Sequence, residues 1–149
     1  MESYQTSPQG YEMTMASNHL GHFLLTYLLL PTLLLPKEEP ARIINVTSST
    51  YRLASRMEVD DLLCTKHRPY TFFGQYAQSK LANILFTTEL ARRYPNTLRT
   101  YAVHPGLVRT NGMCITNNMG KFAVHYYCFI SSHKRKTSAS CMSAVMDVY

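Results

Sequence analysis

Two long helical periods alternating with two short β-branched runs constrain this chain more than any other feature of its sequence. The first helical pattern runs from about residue 11 to 30, and the second from about 72 to 94. In the second, Ala77, Leu81, Ile84, Leu85, Thr88 and Ala91 recur at three- and four-residue steps. Between them lies Arg42-Ile43-Ile44-Asn45-Val46-Thr47, a buried-strand pattern, and a second strand is expected over residues 98–103. Pro31 and Pro36 close the first helix, and Pro95 and Asn96 close the second. Helix, strand, helix, strand builds a parallel sheet with helices packed on it. Two strands alone cannot cover both helices or satisfy the sheet edges, so the fold expected is α/β and incomplete.

A chain of 149 residues with 46% apolar content supports one core, and one partial domain is expected over residues 1–149. The net charge of +6 is scattered apart from Lys134-Arg135-Lys136, which argues for solvated surface over a nucleic-acid interface. Cys64, Cys114, Cys128 and Cys141 form no CxxC pair and follow no secretory pattern, so a reducing compartment is expected. The compartment is otherwise open, from cytoplasm to an organelle surface. Residues 23–35 are Leu-rich and uncharged, but about 13 residues fall short of the roughly 20 that span a bilayer. They read as a buried helix packed on both sides, with no transmembrane segment expected. From residue 51 to 71 no period is sustained, although a turn of helix is expected at Val59-Asp60-Asp61-Leu62. Beyond Gly112 the signal fades, with a helix expected over residues 119–130.

Tyr76-Ala77-Gln78-Ser79-Lys80 sets a phenol and an ammonium four residues apart, on one helical face. A phenol ionises near pH 10, too high for proton transfer at neutral pH, and an adjacent positive charge stabilises the phenolate. By itself the spacing is common. Its surroundings give it weight, because one strand ends in Thr47-Ser48-Ser49 before this helix and another in Pro105-Gly106 after it. Ligands of parallel sheets bind outside the carboxyl ends of the strands, where all these groups converge.

Four ordered stretches then resemble the short-chain dehydrogenase/reductase family, nearest the retinol dehydrogenase-like group: residues 18–26 (NHLGHFLLT), 42–49 (RIINVTSS), 76–86 (YAQSKLANILF) and 103–110 (VHPGLVRT). The resemblance covers residues 9–110 and implies a Rossmann-type doubly wound parallel sheet and an oxidoreductase that uses NADP or NAD. It implies hydride transfer to or from the carbonyl or alcohol of a lipophilic substrate such as a retinoid. By motif, Tyr76 matches the family's acid/base. Lys80 matches the residue that assists the tyrosine and bonds the nicotinamide ribose. Ser48 matches the hydroxyl that polarises the substrate oxygen, with Ser49 a second candidate and Thr47 standing where the family has its first serine. Asn18 matches the asparagine that supports a proton-relay water near the lysine. Pro105, Gly106 and Thr110 match the loop that meets the nicotinamide carboxamide. Residues 51–73 match an insertion expected to shape the substrate side.

The family's opening strand and Gly-rich turn, which cradle the cofactor pyrophosphate, have no counterpart in this sequence. The cofactor-binding half is therefore expected to be lacking, and the chain alone is expected to fold poorly or to need a partner. A non-catalytic role is the alternative expectation, with the chain binding full-length subunits through its two long helices; homo-oligomerisation through these helices is the related expectation. His19 and His22 lack a third metal ligand at useful spacing and read as packed or surface histidines, so no metal is expected. His104 reads as shaping the turn after the second strand.

Overall fold

A computed structural model describes residues 4–36, 38–61, 70–106 and 128–131. Strands β1 (Ala41–Val46) and β2 (Leu98–His104) pair in parallel, from Ala41 opposite Leu98 to Val46 opposite Val103. Helix α3 (Phe72–Arg93) makes the crossover between them, the α/β arrangement expected of an incomplete Rossmann-type sheet. A third strand, β3 (Cys128–Ser131), adds antiparallel to the other edge of β2, giving the order β1-β2-β3. This corrects the helix expected over residues 119–130: residues 128–130 are extended, and 119–127 lie outside the described residues. The ladder offered by β2, about 25 residues upstream, decides the conformation there, and no local period reveals such a pairing.

The first helical run is one path in three parts: α1 (Met13–Met15), a π-helical turn (Ala16–Leu20) and α2 (Gly21–Leu33). Glu12 caps it, its buried carboxylate accepting from the Thr14 and Met15 amides at 3.0 and 2.7 Å. Glu12→Ala is expected to cost about 1–2 kcal/mol of stability, measured as a lower urea midpoint at unchanged slope.

Helix α2 corrects a second expectation. It is not packed on both sides; it has no fully buried residue, and Tyr27 and Leu28 are 64% and 65% exposed. Leu30 and Leu33, with Leu34 just beyond, turn toward the core, and Phe23 touches its rim at Phe86. The described sheet offers α2 one packing surface, and a helix that is apolar all round cannot bury itself against one. Pro31 is tolerated inside the helix because the carbonyl it leaves free belongs to the exposed Tyr27. No described helix is long and apolar enough to cross a membrane.

Thr71 caps α3 by accepting the Gly74 amide at 3.1 Å, and a Cβ on Gly74 would lie 2.6 Å from that same Thr71 oxygen. The cap therefore requires glycine there. The core is Ile43, Leu90 and Leu98, ringed by Leu30, Leu33, Leu34, Phe86 and Tyr94. Beside this cluster the contact of α3 with the sheet is polar: Asn45 Nδ2 donates to Thr87 Oγ1 at 2.9 Å, and Thr100 Oγ1 to the Thr87 carbonyl at 3.1 Å.

Residues 49–61 leave β1 through two 3-10 turns, Ser49–Leu53 and Val59–Asp61, the second falling where a turn of helix is expected. Buried Gln78 holds this segment against α3, donating to the Arg56 carbonyl at 2.8 Å and accepting from the Glu58 amide at 3.1 Å.

Candidate active site

Tyr76 lies one turn inside α3, its ring stacked on Phe72 with centroids 6.3 Å apart and planes 22° apart. Lys80, one turn further on, carries its Nζ 5.3 Å from the Tyr76 ring centroid, as the four-residue spacing predicts. The ammonium also donates to the Val46 carbonyl, the last of β1, at 3.4 Å. Burial holds the Lys80 pKa below the ordinary lysine range.

The three hydroxyls after β1 separate by surroundings. Thr47 is buried, its Oγ1 donating to the Lys80 carbonyl at 3.0 Å and its amide to the Val103 carbonyl at 2.9 Å. It ties the strand end to the helix. Ser48 is half-buried, its Oγ 2.8 Å from Thr50 Oγ1, and it caps the following 3-10 turn by accepting the Thr50 amide at 3.3 Å. Ser49 is exposed.

Asn18 sits in the π-helical turn, a backbone irregularity often found at functional sites. Its Nδ2 donates to Ser79 Oγ at 3.2 Å, and Ser79 Oγ in turn donates to the Tyr76 carbonyl at 2.8 Å. The Asn18 carbonyl receives the Asn83 amide at 3.2 Å and the exposed His22 ring at 3.2 Å. Asn83 also donates to the Val46 carbonyl at 3.1 Å, the acceptor that Lys80 uses. His19 Nδ1 lies 2.9 Å from Asn83 Oδ1, and burial holds the His19 pKa below its ordinary value.

Asn18, Ser48, Tyr76 and Lys80 are thus gathered at the carboxyl end of β1. Sequence reasoning did not single out Ser79 or Asn83. Their signal is helical spacing: both lie within one turn of Lys80, on a stretch where polar residues are buried. His19 is the packed histidine expected, in ring contact with Phe23 and Phe86. Among the described residues no group of three or more His, Cys, Asp or Glu is placed to hold a metal ion.

Pro105 and Gly106 follow β2 at the same end of the sheet, and Gly106 has φ +76°, in the left-handed region that favours glycine. His104 Nδ1 is buried without a hydrogen-bond partner, and burial followed by the charge of Arg52 lowers its pKa. Thr110 lies outside the described residues.

The chain is 46% identical over 108 residues to retinol dehydrogenase 12 of Bos taurus, covering 72% of this chain and 33% of that protein. The chain is related to the retinol dehydrogenases of the short-chain dehydrogenase/reductase family. Retinol dehydrogenase 14 of Homo sapiens is 49% identical over 109 residues, again covering 72% of this chain and 31% of its own. Retinol dehydrogenase 11 of Mus musculus matches over 145 residues at 37% identity, covering 97% of this chain and 44% of its own. The chain therefore spans about a third of the length of most of these curated relatives. Among solved structures, an uncharacterized protein from Mycobacterium paratuberculosis superimposes with a TM-score of 0.61 at 40% identity, over 74% of this chain and 39% of that one. No family model matches the chain.

Proposed function

We propose that this chain carries the acid/base centre of a nicotinamide-dependent oxidoreductase acting on a lipophilic alcohol or carbonyl compound, a retinoid being the leading substrate class. The observation that carries the reading is Lys80, poised between the Tyr76 ring and the end of β1. NADP is the preferred cofactor and NAD the alternative.

The residues present suit the nicotinamide end of such a cofactor. The Lys80 ammonium has three donors and, among the described residues, one long bond, to Val46, which leaves donors for a ribose diol. The left-handed turn at Gly106 opens backbone groups of Pro105 and Gly106 at the same strand ends. Thr110 completes this loop in the proposal. Nothing among the described residues forms the Gly-rich turn before a helix that a pyrophosphate needs. When bound, the nicotinamide ring accepts or supplies the hydride.

In the direction of alcohol oxidation, Ser48 donates to the substrate oxygen and orients it toward the Tyr76 hydroxyl. Tyr76, as phenolate, takes the alcohol proton while hydride leaves the carbinol carbon. Lys80 stabilises the phenolate by charge, and its partial desolvation strengthens that attraction. Asn18 acts at one remove, through Ser79 and the peptide of Tyr76. Reduction reverses each transfer, with Tyr76 returning the proton to the carbonyl oxygen.

A second reading rests on the bare face of α2: a non-catalytic chain that binds full-length subunits through its helices. Titrating the purified chain with NADPH and NADH, followed by assay with a lipophilic alcohol, separates the two. Saturable cofactor binding with turnover would support the first reading. Neither binding nor turnover, with a constant molar mass of a stable hetero-complex, would replace the first reading by the second.

A further inference from the structure

We infer that Asn83 is a positioning residue, which locks the Lys80 ammonium and the Asn18 peptide to the end of β1 under the orienting hand of His19. The inference deepens the oxidoreductase reading and rests on it for its consequence in turnover.

Asn83 is buried, and its side chain has a hydrogen bond in every direction that matters. Nδ2 has two carbonyl partners, Asn18 at 3.2 Å and Val46 at 3.1 Å. Carbonyls only accept, so the amide nitrogen must face them and Oδ1 must face His19. It follows that the His19 nitrogen 2.9 Å away carries a proton, which makes the neutral ring the Nδ1–H tautomer. Desolvation favours the neutral ring and outweighs the Asn83 hydrogen bond, which acts the other way, and the nearby charge of His22 adds to the effect of desolvation. Phe23 and Phe86 pack against the ring from one side, each with its centroid 6.0 Å from that of His19 and the two 5.0 Å from one another. The result is a rigid amide that cannot turn over without losing three bonds.

Its position gives the lock a purpose. Val46 closes β1, and its carbonyl is shared by Asn83 Nδ2 and Lys80 Nζ. Asn83 donates to the Asn18 carbonyl at 3.2 Å, alongside the His22 ring. Its contribution is geometric: it joins the π-helical turn, β1 and α3 at the one place where Lys80 must be held still.

Side-chain nitrogen NMR on the 149-residue chain reads this directly. The wild type is expected to show His19 as the Nδ1–H tautomer with a depressed titration midpoint, and Lys80 with slowly exchanging ammonium protons. In Asn83→Leu, which keeps the volume, His19 is expected to shift toward the other tautomer and Lys80 exchange to accelerate. In Asn83→Asp, the carboxylate is expected to raise the His19 midpoint by at least about one unit. His19→Phe preserves the aromatic packing and serves if Asn83 variants fail to fold; it is expected to accelerate Lys80 exchange as well. Unchanged His19 and Lys80 signals in these variants would overturn the inference. In turnover, Asn83→Leu and His19→Phe are expected to lower kcat roughly ten- to a hundred-fold with little change in KM. Full kcat in Asn83→Leu would overturn the positioning role. An inactive wild type that keeps the NMR signatures would overturn the oxidoreductase reading and leave the lock itself standing.

Discussion

Tyr76→Phe, in a version that also carries the cofactor-binding half, is expected to remove turnover, by roughly 10²- to 10⁴-fold or beyond detection, while leaving the fold as it is. The substitution deletes one oxygen and keeps the ring. The stack on Phe72 and the approach of the Lys80 ammonium to the ring face both survive, so α3 loses no packing. The far-ultraviolet circular dichroism and thermal midpoint should therefore match the wild type. Formation of reduced nicotinamide from a lipophilic alcohol is the measurement, and retained kcat in the Phe variant would dismiss Tyr76 as the acid/base.

The second large effect concerns stability. Leu90→Ala is expected to destabilise the chain by about 2–5 kcal/mol, because Leu90 is, with Ile43 and Leu98, one of the three buried members of its core cluster among the described residues. Stability of that size is a large share of what a typical domain possesses. Urea unfolding followed by circular dichroism should show the variant substantially unfolded before denaturant is added. Thr88→Ala, on the exposed face of the same helix, is the control and should move the midpoint little. Equal effects from the two substitutions would mean that the cluster does not hold the helix to the sheet.

The parts of this fold that could be read from sequence are those encoded by local period. Helix α3 begins at Phe72 as expected and ends at Arg93, one residue short of expectation. The strands fall within a residue of their expected limits, because Pro and Asn punctuate them. The YxxxK pair was legible for the same reason, four residues being one helical turn. β3 was not legible, since its partner is distant in sequence and its own residues carry no period that separates strand from helix. The exposure of α2 is not legible in the sequence, because a Leu-rich segment announces that it seeks cover, not that cover is present. Asn83 and Ser79 escaped notice because polar residues in a helix are ordinarily solvent-facing, and only the convergence of α1, the π-helical turn and β1 on α3 puts them inside.

The π-helical turn at Ala16–Leu20 gives the first helix one residue more than a regular helix would use over that span. Each residue of an α-helix advances about 100° around its axis. Removing a single residue there, such as Ser17, would restore a regular spiral and swing Glu12 and Met15 by about that angle relative to Leu30 and Leu33. The anchor at one end of the segment and the core contacts at the other could then no longer be satisfied together. The extra residue works as a rotational shim, and the segment should tolerate a change of side chain on its exposed side far better than a change of length.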